Sequence, residues 1–249
     1  YNLQSVNGNV AGEFPVFYFI AAQFKNAVFA LRFIHTIIFF AGILATYFIA
    51  FYFLQRRFLS MLCPMLLFTS PLLVFYGNNF LSDVPALSFA FIGWAIFLNA
   101  HKKENLLWLT IAFLCFAFAG LLKASEMINF AIAFIFVIKS RKISIKFLLP
   151  FAFCLLPLCW YFYAKQYNKQ NYDHYYFLSI SPIWQLSIQE IGLAFWRMTV
   201  ANAKNYFWMP TSIVLLISSY RLIRRRNRLG DELLTIISAS FIVVVSYIL

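Results

Sequence analysis

Asp83 is the residue of this sequence best suited to chemistry. It is the only charged residue in YGNNFLSDVPALSF (76–89), a stretch otherwise apolar or neutral. A carboxylate between two apolar runs costs free energy unless it is solvated, paired or bound to a cation. Glu13 is a second acid, in GEFP (12–15), just before another apolar run. If Asp83 and Glu13 converge, they would hold a divalent metal ion or place a polar acceptor. Lys123 and Glu126 interrupt the apolar sequence GLLKASEMINF (120–130), and Arg32 and His35 lie one helical turn apart in LRFIH (31–35). Lys123, Arg32 and His35 would face a phosphate and stabilise negative charge developing on a leaving group. Each residue also has a plainer reading. Asp83 would cap a helix carrying Pro85 in its first turn, and Glu13 would be a solvated loop acid. Lys123 and Glu126 would pair on one helical face with the lysine reaching outward. Arg32 would snorkel and His35 would be hydrogen-bonded inside a bundle.

The elements that must position these residues are unusually apolar. The 249 residues are 63% hydrophobic and 11% charged, with mean hydropathy +0.79. A soluble domain is roughly 45–50% apolar and about 25% charged. Burying 32 Phe, 14 Tyr and 6 Trp while showing water a polar surface is not feasible at this size. A soluble globular domain is therefore not expected. Apolar runs of roughly 17–25 residues recur, each long enough to cross the hydrocarbon core as a helix. They do not alternate, which argues against a barrel and for helices whose backbone groups pair internally.

The expected fold is all-α: a polytopic transmembrane bundle of about eight spans. Residues 1–29 would form an outer-face loop with an interfacial helix over Phe14–Phe24, started by Pro15. Residues 30–163 would form the core of six spans, Ala30–Leu54, Phe58–Tyr76 (kinked by Pro64 and Pro71), Val84–Asn99, Leu106–Leu122, Met127–Ile138 and Phe147–Tyr163. Residues 164–205 would form an outer-face loop region, and 206–249 the last two spans, Phe207–Ile223 and one starting near Leu233. The sequence begins at Tyr1 and stops within Leu233–Leu249, which reads as a chain cut at both ends.

Charge orients the bundle. Thirteen of the 20 Lys and Arg fall on alternate connections: Arg56 and Arg57; Lys102 and Lys103; Lys139, Arg141, Lys142 and Lys146; and the RRRNR cluster with Arg221. Basic residues gather on the cytoplasmic side of membrane proteins. The net charge of +12 therefore fits topology and anionic lipid rather than nucleic acid. Glu13, Asp83, Glu126, Asp173 and Glu190, five of the eight acids, then share the non-cytoplasmic side. The four cysteines (63, 115, 154 and 159) lie in apolar runs without metal or disulfide spacing and read as small hydrophobes. The Tyr-, Trp-, Asn- and Gln-rich stretch 164–205 would bind sugars or populate an interfacial belt. The sequence has no phosphate-cradling glycine loop, HExxH or CxxC.

Four stretches, GEFPVFYFIAAQF (12–24), LRFIHTIIFFAGILATYFIA (31–50), SPLLVFYGNNFLSDVPALSFAFIGWAIFL (70–98) and GLLKAS (120–125), resemble polytopic lipid-dependent glycosyltransferases of the GT-C class. The resemblance is to the bacterial branch that looks like dolichyl-phosphate-mannose protein mannosyltransferases (glycosyltransferase family 39, ArnT-like). It covers much of residues 12–125, while later residues fit through topology alone. It implies an inverting enzyme of the bacterial inner membrane with its active site on the outer face. Such an enzyme moves a sugar from a polyprenyl-phosphate donor to a lipid, glycan or protein acceptor. Asp83 matches the family's second acid, which positions the acceptor or a metal. The acceptor-activating base would lie before Tyr1. Lys123 matches a basic residue near the donor phosphate, with Arg32 and His35 serving the same anion. Glu13 replaces a basic or His residue in a short polar-Pro motif near the active site. The rival expectations are a transporter or flippase of lipid-linked sugars, which would favour charges within spans and internal repeats, and a non-catalytic membrane scaffold. No internal repeat is visible.

Overall fold

The structure, a computed structural model, describes residues 11–68, 71–77, 81–140, 148–171 and 187–205. Every regular element among them is helical: α1 Val16–Ala21, α2 Ala27–Leu54, α3 Arg57–Phe68, α4 Pro71–Gly77, α5 Asp83–Lys103, α6 Leu106–Leu122, α7 Ile128–Lys139, α8 Leu155–Asn171 and α9 Ile188–Asn205. Two 3₁₀ turns, Ala124–Met127 and Leu149–Cys154, join α6 to α7 and lead into α8. α2, α6 and α9 start where short polar side chains satisfy free N–H groups. Asn26 accepts from the N–H of Phe29 at 3.1 Å to open α2, and Asn105 accepts from that of Trp108 at 3.3 Å to open α6. Glu190 accepts from Ser187 N–H at 2.8 Å while its own N–H donates to Ser187 Oγ at 3.3 Å. That reciprocal pair is a capping box at the start of α9.

α2, with 28 residues, and α5, with 21, are long and apolar enough to cross a membrane; α6 is apolar over 17. At ~1.5 Å per residue α5 is about 31 Å long, close to the hydrocarbon thickness. α5, α6 and α7 alternate in direction. The N-terminal half of α2 clusters with α1, Ala86 of α5 and Leu122 of α6. Its C-terminal residues Ile49, Tyr52 and Phe53 pack on the cluster around Trp94, Phe97 and Ala100. α2 and α5 therefore run the same way, and α6 returns. α7 descends again: Phe136, near its end, meets His101 at 5.2 Å between ring centroids. Lys102, Lys103 and Lys139 thus sit at one end of the helices, and Asp83, Lys123 and Glu126 at the other.

Close packing holds the central helices together. Phe97, Phe113 and Phe116 are fully buried with Trp94, Phe130 and Phe136 around them. Small residues let the backbones approach. A Cβ on Gly42 would lie 2.5 Å from Ser88 Oγ and 2.8 Å from Ser88 Cα, so α2 and α5 touch there with no room for a side chain. On the opposite side of α2, Phe29, Phe33, Ile37, Phe40, Leu44 and Phe48 are exposed. An apolar stripe of this length suits lipid, whereas in water it would demand a partner.

Several boundaries differ from the sequence expectation. Of the second expected span the described residues show α3 and α4, with Pro64 inside α3 and Pro71 opening α4; residues 69–70 between them lie outside the described residues. The expected interfacial helix is shorter than Phe14–Phe24, with Pro15 as its N-cap residue. α7, the expected fifth span, has 12 residues and reaches about 18 Å. The 163/164 boundary falls inside α8, and α9 occupies part of the expected loop region. The expected spans Phe207–Ile223 and from Leu233, with the RRRNR cluster, lie outside the described residues.

Candidate functional site

α5 begins at Asp83 and α6 ends at Leu122, and the reversal between them brings Lys123 onto Asp83. Lys123 Nζ forms an ion pair with Asp83 Oδ1. Each side chain is more than a third exposed, so water screens the pair and its net contribution to stability is about 0–1 kcal/mol. Its importance lies in where it sits. A cleft of about 310 Å³ opens beside it, lined by Leu73, Tyr76, Leu81, Val84 and Leu87 together with Asp83, Lys123, Ser125 and Glu126. Its lining mixes aliphatic side chains with a cation, two carboxyls and two hydroxyls. The cleft therefore suits a molecule with an apolar part and a polar head.

The cap expected of Asp83 is absent. Asp83 is the first helical residue, Ser82 occupies the N-cap position, and Ser82 makes no capping bond. Ser82 Oγ donates instead to Glu13 Oε2. Pro85 in the first turn costs the helix nothing, because the N–H it lacks would have had no helical acceptor.

Glu126 sits in the 3₁₀ turn and is firmly held. Asn129 Nδ2 donates to its Oε2 and to its backbone carbonyl, each at 2.8 Å. Asn129 Oδ1 accepts from Trp94 Nε1 at 2.8 Å. An indole N–H can only donate, so this bond fixes which way the Asn129 amide faces. Burial pushes the Glu126 carboxyl above its ordinary value, against the Asn129 hydrogen bond and the Lys123 charge, which both lower it. At the start of α9, the Ser187 backbone N–H and hydroxyl hold Glu190 below its ordinary value.

The expected residues separate into groups. Asp83 and Lys123 share the cleft. Glu13 does not line it; it reaches the pair through Ser82 and faces a narrow crevice with Trp160 and Tyr161. The segment carrying Glu13 is strapped down. Asn168, fully buried on α8, accepts from Ala11 N–H at 2.9 Å and donates to its carbonyl at 2.7 Å. Trp160 Nε1 donates to the Gly12 carbonyl at 3.1 Å, and Phe14 N–H to that of Leu121 at 3.1 Å. His35 is buried in α2 with its ring 5.3 Å from that of Phe17, and Arg32 is exposed on the same helix; neither lines the cleft.

As a donor set for a divalent metal, these carboxyls fit poorly. Asp83 is taken by Lys123, Glu13 by Ser82 and Glu126 by Asn129. Among the described residues no three acids, histidines or cysteines group as metal ligands. Sequence reasoning had Glu126 only as a partner for Lys123 and missed Asn129, Trp94 and Asn168. An Asn one turn after an acid, at the start of an apolar helix, was the available signal for Asn129. The Ala11–Asn168 contact spans 157 positions and left no local trace.

No family model matches the chain, and comparison with curated proteins and with solved structures likewise gives no match.

Proposed function

We propose that the chain is part of a multi-pass membrane glycosyltransferase of the GT-C type, moving a sugar from a polyprenyl-phosphate donor to a polar acceptor on the non-cytoplasmic side. The observation that supports this reading is the cleft of mixed apolar and polar lining at the end of the helices remote from Lys102, Lys103 and Lys139, with the Asp83–Lys123 ion pair among its lining. Under the positive-inside rule that end faces outward. The aliphatic side chains of the lining would take the first isoprene units and Lys123 the phosphate. Asp83 would position the acceptor hydroxyl.

In the reaction a bond forms between the acceptor oxygen and the anomeric carbon, and the bond from that carbon to the phosphate oxygen breaks, with inversion. The hydroxyl proton passes to a carboxylate. The charge left on the phosphate is stabilised by Lys123, a contribution of ~2.7–4 kcal/mol for one well-placed donor. Lys123 must exchange Asp83 for the phosphate, which leaves the Asp83 carboxylate open to the acceptor. No step is assigned to a metal.

A transporter would place charge within its spans. Asp83, Lys102, Lys103, Lys123 and Lys139 all stand at helix ends instead. The test uses the full-length protein in lipid nanodiscs with a labelled polyprenyl-phosphate sugar. Transfer by the native protein and its loss on Asp83→Asn is the expected result. Undiminished transfer by that variant would remove Asp83 from the mechanism, and movement of the lipid across a bilayer without transfer would favour the flippase.

A further inference from the structure

Glu126 differs from the other acids of this region in how it is held. One oxygen, Oε2, is taken by Asn129, whose amide is turned the right way by Trp94. Asn129 and Trp94 are both buried, so the bonds run through packed protein rather than water. Among the described residues Oε1 has no hydrogen-bond partner, and Glu126 lines the cleft with Ser125 and the aliphatic side chains. A carboxyl fixed at one oxygen and open at the other is a preorganised hydrogen-bonding group. Its complement is a hydroxyl, which can donate to a carboxylate or accept from a protonated carboxyl. Phosphate is a poor match, since it offers only acceptors and negative charge.

We propose that Glu126 is the sugar-recognising residue of the cleft, contacting a hydroxyl of a lipid-linked sugar through Oε1, with Asn129 and Trp94 as its positioning residues. The assignment rests on reading the cleft as the donor site and adds a division of labour within it. The leucines and Val84 take the chain, Lys123 the phosphate, and Glu126 the sugar. It makes the affinity for the sugar part separable from the affinity for the phosphate and chain.

The experiment measures binding of two radiolabelled lipids, a polyprenyl-phosphate hexose and the same polyprenyl phosphate without sugar, to the full-length protein in nanodiscs. Glu126→Leu keeps the volume and removes the polar end. It is expected to weaken the sugar lipid about tenfold, the size of one hydrogen bond to a charged or well-oriented group, and to leave the sugar-free lipid unchanged. Glu126→Gln, which keeps a polar end, should retain most of the affinity. Trp94→Phe keeps the ring and loses the N–H, and should move the sugar lipid alone, by a smaller factor. Adding Asn129→Leu to Glu126→Leu should cost nothing further, because the two act as one unit. Equal weakening of both lipids by Glu126→Leu, or weakening of neither, would overturn the proposal, as would no binding of the sugar lipid by the native protein. Sugar-lipid binding that depends on Glu126 in a protein that never transfers the sugar would sink the transferase reading and leave this assignment standing.

Discussion

The Asp83–Lys123 pair and Glu126 ask different things of mutagenesis. For the pair, the contrast between stability and activity is informative, because a half-exposed ion pair adds little to folding. Lys123→Met is expected to lower sugar transfer about 100-fold with only a small change in thermal unfolding. Exchanging the two residues, Asp83→Lys with Lys123→Asp, should restore the ion pair without restoring transfer. Recovery of activity in the exchanged protein would reduce the pair to a structural clasp. Glu126 makes its own prediction about pH. Its folded-state value is raised chiefly by burial. Its stability contribution is therefore fully present below the unfolded value and is lost as pH rises through the folded one. Glu126→Gln should match the native protein in thermal unfolding in detergent near pH 4. It should become the more stable of the two as pH rises above the ordinary glutamate value. A gap independent of pH would contradict the origin assigned to the shift.

At the scale of elements, α2 and α5 are held by contact rather than by charge. Helices in lipid associate through close packing and a few hydrogen bonds, since lipid is as apolar as the helix faces. Gly42 against Ser88 is the tightest such approach between them, and Gly93 meets the Phe116 ring in the same way between α5 and α6. Gly42→Val must push α2 away from the α5 backbone. A loss of about 1–3 kcal/mol is expected, read as a lower unfolding midpoint in detergent, whereas Phe33→Val on the exposed face of α2 should change little. Unchanged stability in Gly42→Val would mean that this contact is not made. These helices were also the legible part of the sequence. α6 was expected at its observed bounds, and α2, α5 and α7 within a few residues, because long apolar runs ended by Asn, Gln, Lys or Glu leave few places for a helix to stop. α9 carried a readable signal, the Ser187-x-x-Glu190 capping box, hidden among aromatic residues that suggested a loop.

The molecule as a whole has two unlike ends. One carries lysines and arginines on short connections. The other carries Glu13, Asp83 and Glu126, the cleft, and the strap from Ala11 to Phe14 laid over α8. That acids would gather at one end was readable, because the basic residues alternate along the chain. Which acids meet was not readable. Glu13 meets Ser82, the residue next to Asp83 and one with no charge to draw attention. The long-range bonds that set this geometry depend on which helices become neighbours, and hydropathy does not encode that. The most direct test of the two-ended arrangement is sided labelling in intact cells with a membrane-impermeant maleimide. Cys63, Cys115, Cys154 and Cys159 are first replaced, and Gln23→Cys or Ser140→Cys is introduced singly at exposed positions near opposite ends. Labelling of Gln23→Cys from outside and of Ser140→Cys only after permeabilisation is the predicted result; labelling of both from the same side would contradict it.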